Sequence, residues 1–227
     1  MNPIIKKNQT VIVEASLSIC KILTSLVNLG VTNHQAYLDL TKTGDYSDEF
    51  IKDKTAKMNA QCRSSAEAYE PKLTAELNAI EAAGHLLENS LEITDSDLAS
   101  ALSIIEASQG ELDIGTGELI VSTFKGNQRA LSIIRGVLQR FGKKTTMLDK
   151  FIFEIDYKMP SLRGHVGLIT SDPYNNGADI MGMRRDLINL CKVIGEEVPE
   201  ESFSLGDNYD ALSNARFRKA AGLPAKE

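Results

Sequence analysis

The sequence predicts a mainly α-helical protein, an antiparallel multi-helix bundle with a small β-hairpin in its C-terminal third. Three observations carry that class. Apolar residues recur at three- and four-residue steps along most of the 227-residue chain. Ser/Thr/Asp clusters and glycines punctuate these stripes where helices would begin and end. The composition, without Trp and only 6% aromatic, suits cores packed from Leu, Ile and Ala. A compact fold of this length buries roughly 70% of the surface its unfolded chain exposes, enough to need no metal or disulfide staple.

The first stripe, Ile12, Ala15, Ile19, Ile22, Leu26 and Leu29, forms a packing seam that Gly30 is expected to close. Lys6 and Lys7 ahead of it give this segment the look of a secretion signal. Glu14 and Lys21 interrupt the run, however, and no small-residue cleavage pattern follows, so neither export nor a membrane span is expected. Thr32-Asn33-His34-Gln35 has capping-box spacing and predicts a short new helix through Leu40. Ser47-Asp48-Glu49 opens a longer one carrying Phe50, Met58, Cys62, Ala66 and Tyr69, up to Pro71, whose missing N–H should restart the helix. Leu73, Leu77, Ile80, Leu87 and Leu91 continue the apolar face. Thr94-Asp95-Ser96-Asp97 reads as the next N-cap, with Leu98, Leu102 and Ile105 inward and Gly110 at the end.

The clearest stripe follows: Ile120, Phe124, Asn127, Leu131, Ile134, Leu138 and Phe141 predict one amphipathic helix over Glu118–Phe141. Beyond Lys144 the pattern changes. Phe151, Phe153, Ile155 and Tyr157 alternate with Ile152, Glu154, Asp156 and Lys158, the period of a half-buried strand, and His165–Thr170 could pair with it across Pro160–Gly164. The same residues also fit a helix, and both templates stay open. Ser171–Gly177 is loop chemistry. Ile180, Leu187, Leu190, Cys191 and Ile194 resume helical spacing before Gly195, and an acidic loop, Glu196–Glu201, leads to a last helix near Asn208–Ala221. The expected division is a helical bundle domain over residues 1–148 and a C-terminal region over 149–227, with the hairpin at 151–170, a loop and two helices.

No motif that carries chemistry accompanies these stripes. Gly142-Lys143-Lys144-Thr145 has neither the glycine spacing nor the strand context of a phosphate-binding loop. Gly115-Thr116-Gly117 could cradle an anion in backbone amides, although a bare Gly-x-Gly reads first as a helix-start turn. Cys20, Cys62 and Cys191 are far apart and odd in number, which suits reduced core thiols. His34, His85 and His165 show no metal-ligand spacing, and Pro199 places Glu196, Glu197, Glu200 and Glu201 on a solvated loop. No catalytic residue, metal site or cofactor is nominated.

One pattern stands out against a net charge of −6. Between Lys125 and Lys144 the charged residues are all basic. On a helix extended to Lys144, the residues Lys125, Arg129, Arg140, Lys143 and Lys144 fall on one side, opposite the apolar stripe. That ridge is the candidate binding surface for a protein partner or a phosphate ligand. The overall acidity disfavours a chain-wide nucleic-acid or membrane binder. The expected function is therefore a cytoplasmic, non-enzymatic interaction or assembly protein, structural or accessory, working through helical surfaces and forming homo-oligomers. Motif-poor helical chains of this kind are common among viral and mobile-element accessory proteins. Two alternatives stand beside it: a nucleic-acid-binding accessory factor using the ridge, and an enzyme whose site is assembled only in three dimensions.

Overall fold

A computed structural model describes residues 3–42, 44, 46–89, 96–152 and 154–209, and among these every regular element is helical. In chain order they are α1 (Pro3–Lys42), α2 (Asp48–Glu67), α3 (Glu70–Asn89), α4 (Ser96–Ala107), α5 (Ile114–Phe124), α6 (Gln128–Arg140), α7 (Thr146–Asp149), α8 (Ile155–Ser171) and α9 (Gly177–Val193), followed by a 3-10 turn at Glu200–Phe203. The mainly α class expected from the stripes is the class observed.

Several expected signals act as read. Ser47 caps α2, its Oγ accepting from the Phe50 N–H at 3.3 Å, and Asp48 and Glu49 occupy the first turn, where acidic side chains oppose the positive end of the helix. The helix restarts around Pro71, in the first turn of α3, and Leu73, Leu77, Ile80 and Leu87 are buried. Leu98 and Ile105 of α4 are buried, with Gly110 just past its end. Leu91, Thr94, Asp95 and the helix expected beyond Tyr209 lie outside the described residues.

Three expectations are corrected. Gly30 does not end a helix; α1 runs through it and through the expected capping box at Thr32–Gln35, making one 40-residue helix. Glycine inside a helix costs about 0.5–1 kcal/mol relative to alanine. Here it permits a close approach, because a Cβ on Gly30 would stand 2.9 Å from the Tyr174 backbone nitrogen. The hairpin at 151–170 is replaced by α8. Ile155, Met159, Leu162, Val166 and Ile169, at alternating four- and three-residue steps, are the buried residues, whereas Tyr157 of the supposed strand is 76% exposed. The two-residue alternation was too short to outweigh that longer stripe. Finally, Glu118–Phe141 is two helices. Gly126 turns the backbone to φ +86°, and Asn127, read as part of the stripe, caps α6 by accepting from the Ala130 N–H at 3.1 Å.

The chain forms two compact units, each of three segments: residues 1–15, 78–159 and 187–199 in the first, and 16–77, 160–186 and 200–227 in the second. The boundary expected after residue 148 falls within α7 and within the first unit. In the first unit, α4 to α7 enclose a continuous core that includes Ile105, Phe124, Leu131, Ile134, Leu138 and Leu148. Full burial of side chains of this size stabilises by about 1.5–3 kcal/mol each. In the second unit, Leu23, Leu26, Leu73, Leu77, Ile169 and Phe203 are fully buried. Its portions of α8 and α9 are pinned by His165, whose Nδ1 lies 3.0 Å from Asp179 Oδ1 and whose Nε2 lies 4.0 Å from Asp186 Oδ2.

By length and composition, α1 contains an apolar stretch able to cross a bilayer, and 44% of that stretch is buried within the protein. Ile12, Ile19, Leu23 and Leu26 are wholly covered. Of the expected seam, Ile12, Ala15, Ile19 and Leu26 are buried, whereas Ile22 and Leu29 are half-buried.

Candidate interaction surface

The basic residues singled out in the sequence all lie in the first unit, and the break at Gly126 means they do not form one helical ridge. Lys125 is the C-cap residue of α5, with its Nζ 3.1 Å from Glu197 Oε1 of the acidic loop. Arg129 and Arg140 are exposed on α6 about three turns apart, a spacing that returns to nearly the same face. Lys143 and Lys144 follow in the connection to α7. Lys143 pairs with Glu111, and this hydrogen bond, with the ammonium charge, holds the Glu111 carboxyl below its usual range. Among the described residues no ion pair engages Arg129, Arg140 or Lys144. Arg135 plays a different part: its guanidinium lies 2.6 Å from Glu154 and 3.8 Å from Asp149, tying α6 to the start of α8 and to α7.

Beside Lys143 and Lys144 the surface opens into an apolar cleft of about 200 Å³ between α5, α6 and α7. Its floor is core: Ile120, Val121, Ile134, Leu138 and Leu148. Its border is not. Ile114 is 78% exposed and Met147 40% exposed, and both line the cleft; Phe141, at the end of α6, is 38% exposed. Burying side chains of this kind would be favourable by roughly 25 cal/mol per Å² of apolar area removed from water. A cavity of about 150 Å³ suffices for a benzene-sized group, so this cleft has the volume of a bulky apolar side chain.

The entrance to α5 is fixed by its own carboxylate. Asp113 Oδ1 accepts from the Thr116 N–H at 3.0 Å, and Thr116 Oγ1 donates to Asp113 Oδ2 at 2.6 Å. The Thr116 hydroxyl first, and then its backbone N–H, hold the Asp113 carboxyl below the usual range. Gly115-Thr116-Gly117, the one candidate anion nest, is therefore the first turn of a helix already capped by the protein's own anion.

Lys143 is half-buried and Lys144 exposed in the connection after α6, and the cleft beside them was not found from the sequence. Ile114 and Met147 stand outside the stripe, and only the approach of α7 to α5, where a Cβ on Gly117 would lie 3.4 Å from Met147 Sδ, brings them to one opening. The signal was present as two large apolar residues in polar surroundings. Cys20 and Cys191 are buried, as read, whereas Cys62 is half-buried. Burial, and secondarily the charge of Asp172, push the Cys62 thiol up, the direction opposite to that of an activated nucleophile. Among the described residues no three His, Cys, Asp or Glu side chains gather as a metal site.

No family model matches the chain, and neither a curated protein nor a solved structure matches it.

Proposed function

We propose that this chain is a non-enzymatic interaction or assembly protein that works through its helical surfaces and self-associates. The observation that carries the reading is the cleft between α5, α6 and α7, apolar at its floor, bordered by exposed Ile114 and Met147, and edged by Lys143 and Lys144. An apolar centre inside a charged rim is the anatomy of a protein interface. The partner chemistry it fits is a bulky apolar side chain flanked by carboxylates. A second copy of the chain offers such a group, since Tyr46 and Phe50 stack at 4.8 Å, each 46% exposed, beside Asp48 and Glu49. Antiparallel packing of the helices and a cytoplasmic location belong to the same proposal. The burial of Ile12, Ile19, Leu23 and Leu26 supports reading this stretch of α1 as a core helix in place of a membrane span.

Light scattering on the full chain at tens of micromolar tests the proposal. The expected mass exceeds that of a monomer and returns to it when Ile114→Asp and Met147→Asp are combined, with helical content retained. A monomer mass for the unaltered chain overturns self-association.

A nucleic-acid-binding role is the second reading, favoured by Arg129, Arg140 and Lys144, which are exposed and outside any ion pair among the described residues. With a slope of about −0.9 per neutralised phosphate, these three cations support a log–log salt dependence of only about −3.

A further inference from the structure

We propose that the second unit holds a binding cleft for a small planar molecule carrying one anionic group. The cleft, about 310 Å³, is formed where α1, α2 and the loop between α8 and α9 converge. Small-molecule sites run from roughly 300 to 1,000 Å³, so this one suits a single ring system with a short charged substituent and not a dinucleotide.

Its wall is built into place. Gly30 leaves room for the loop to lie directly on α1, where any Cβ would meet Tyr174 backbone atoms at 2.9 and 3.1 Å. The loop is held by its own hydrogen bonds: the Asn175 N–H and side-chain amide donate to the two Asp172 carboxylate oxygens at 2.9 and 2.7 Å, and the Asn176 amide donates to the Leu168 carbonyl at 2.6 Å. Tyr174 is thereby set on His34, ring centroids 4.2 Å apart and 20° from parallel, with Tyr37 continuing the aromatic surface at 6.2 Å from His34. Tyr37 is 38% exposed and offers a face on which a flat ring can stack.

Polar groups supply the rest of the recognition. Asn33 Nδ2 donates to Asn59 Oδ1 at 2.9 Å, which leaves an acceptor on Asn33 and a donor on Asn59 side by side on the cleft wall. A heterocycle edge or a substituted ring can use that pair. Arg63 lines the same cleft, is exposed, and enters no ion pair among the described residues. A guanidinium in this position matches a carboxylate or phosphate through paired N–H donors. Burial, and secondarily the charge of Asp172, push the nearby Cys62 thiol up, and Asp172, the carboxylate that lines the cleft, has both of its oxygens engaged by Asn175 donors.

Calorimetric titration of the full chain tests the assignment, using adenosine monophosphate and phenyl phosphate as probes, with adenosine and inorganic phosphate as controls for ring and charge alone. Both parts are expected to be required, so either anionic ring compound binds more tightly than adenosine or phosphate. Binding of adenosine monophosphate alone identifies a nucleotide; binding of phenyl phosphate as well identifies the simpler anionic aromatic. Arg63→Ala should weaken the bound probe by about tenfold or more, with partial recovery in Arg63→Lys. Tyr37→Ala should weaken it independently. Gly30→Ala should also weaken it, by displacing Tyr174; circular dichroism checks that this variant folds, and if it does not, Arg63→Ala and Tyr37→Ala decide. The proposal is overturned if neither anionic ring compound binds at millimolar concentration, if phosphate alone binds as tightly, or if Arg63→Ala and Tyr37→Ala leave affinity unchanged.

Discussion

Gly126 and Gly195 cross backbone to backbone: a Cβ on Gly195 would stand 2.9 Å from the Gly126 Cα, and one on Gly126 would stand 2.6 Å from the Ile194 carbonyl oxygen. Both residues take φ +86°, and two buried amides bracket the crossing. Gln9 Nε2 donates to the Ile194 carbonyl at 2.6 Å, and Gln128 Nε2 donates to the Val193 carbonyl at 3.0 Å. Gly126→Ala and Gly195→Ala are each expected to cost at least about 1–3 kcal/mol from left-handed backbone alone, before the steric conflict. Because both would open the same crossing, the double variant should cost less than the sum. Urea titrations measure this, and strict additivity would show that the two sites respond separately.

Leu131 and Leu138 face the core of the first unit at 0% and 6% exposure. Replacing either by Ala removes a buried branched side chain and leaves a cavity, with an expected loss of about 2–5 kcal/mol. Leu131 should lie toward the upper end, since Leu138 also borders the open cleft, where neighbours and water can relax into the space. Thermal midpoints that left both unchanged would place this face of α6 away from the core.

What the sequence revealed here is the local physics: the stripe through Leu131, Ile134 and Leu138, the Ser47 cap, the restart at Pro71. What it concealed depends on partners distant in the chain. Gly30 resembles a helix end until the Tyr174 backbone is seen to require its missing Cβ, and Asn127 resembles a stripe residue until Gly126 turns the chain and makes it a cap. Gln128, which no sequence pattern singles out, is 1% exposed and donates to both Phe151 and Val193 carbonyls. The alternation Phe151–Tyr157 with its partner His165–Thr170 fitted a hairpin as well as a helix, and the helix holds from Ile155 because the stripe from Ile155 to Ile169 is set by burial over four turns. The candidate surface was half legible for the same reason: charge runs are visible in one dimension, and a cleft between α5 and α7 is not.

Asp113 provides a pH test at the edge of that cleft. Thr116 holds its native carboxyl below the ordinary aspartate value of 3.8, so the folded state prefers the ionised form more than the unfolded state does. The contribution is thus fully present above the unfolded value and is lost as pH falls through the lower native one. The difference in thermal midpoint between wild type and Asp113→Ala should be constant near neutral pH and shrink below about pH 4. Glu111, lowered by Lys143, should behave in the same sense. A difference that grew in acid would mean that the carboxyl is not stabilised as an anion.

The two readings of the basic surface separate when charge and apolar contact are altered independently. Changing Lys125, Arg129, Arg140 and Lys143 together to Glu sets like charges against Glu197 and Glu111, both highly exposed, so folding should survive with only a modest fall in midpoint. Any partner held by this face should be lost. Ile114→Asp with Met147→Asp leaves every one of those cations in place and removes the apolar border. A protein partner seated in the cleft should fail to bind either variant, and its affinity for the unaltered chain should depend weakly on salt, because apolar burial carries it. A nucleic acid should instead tolerate the apolar pair, within the effect of two added negative charges, and should weaken with salt along a log–log slope near −3. Electrophoretic mobility shifts from 50 to 200 mM salt and light scattering on the same three proteins make the measurement. Binding that survived both variants would move the interaction off the surface of α5 to α7 altogether.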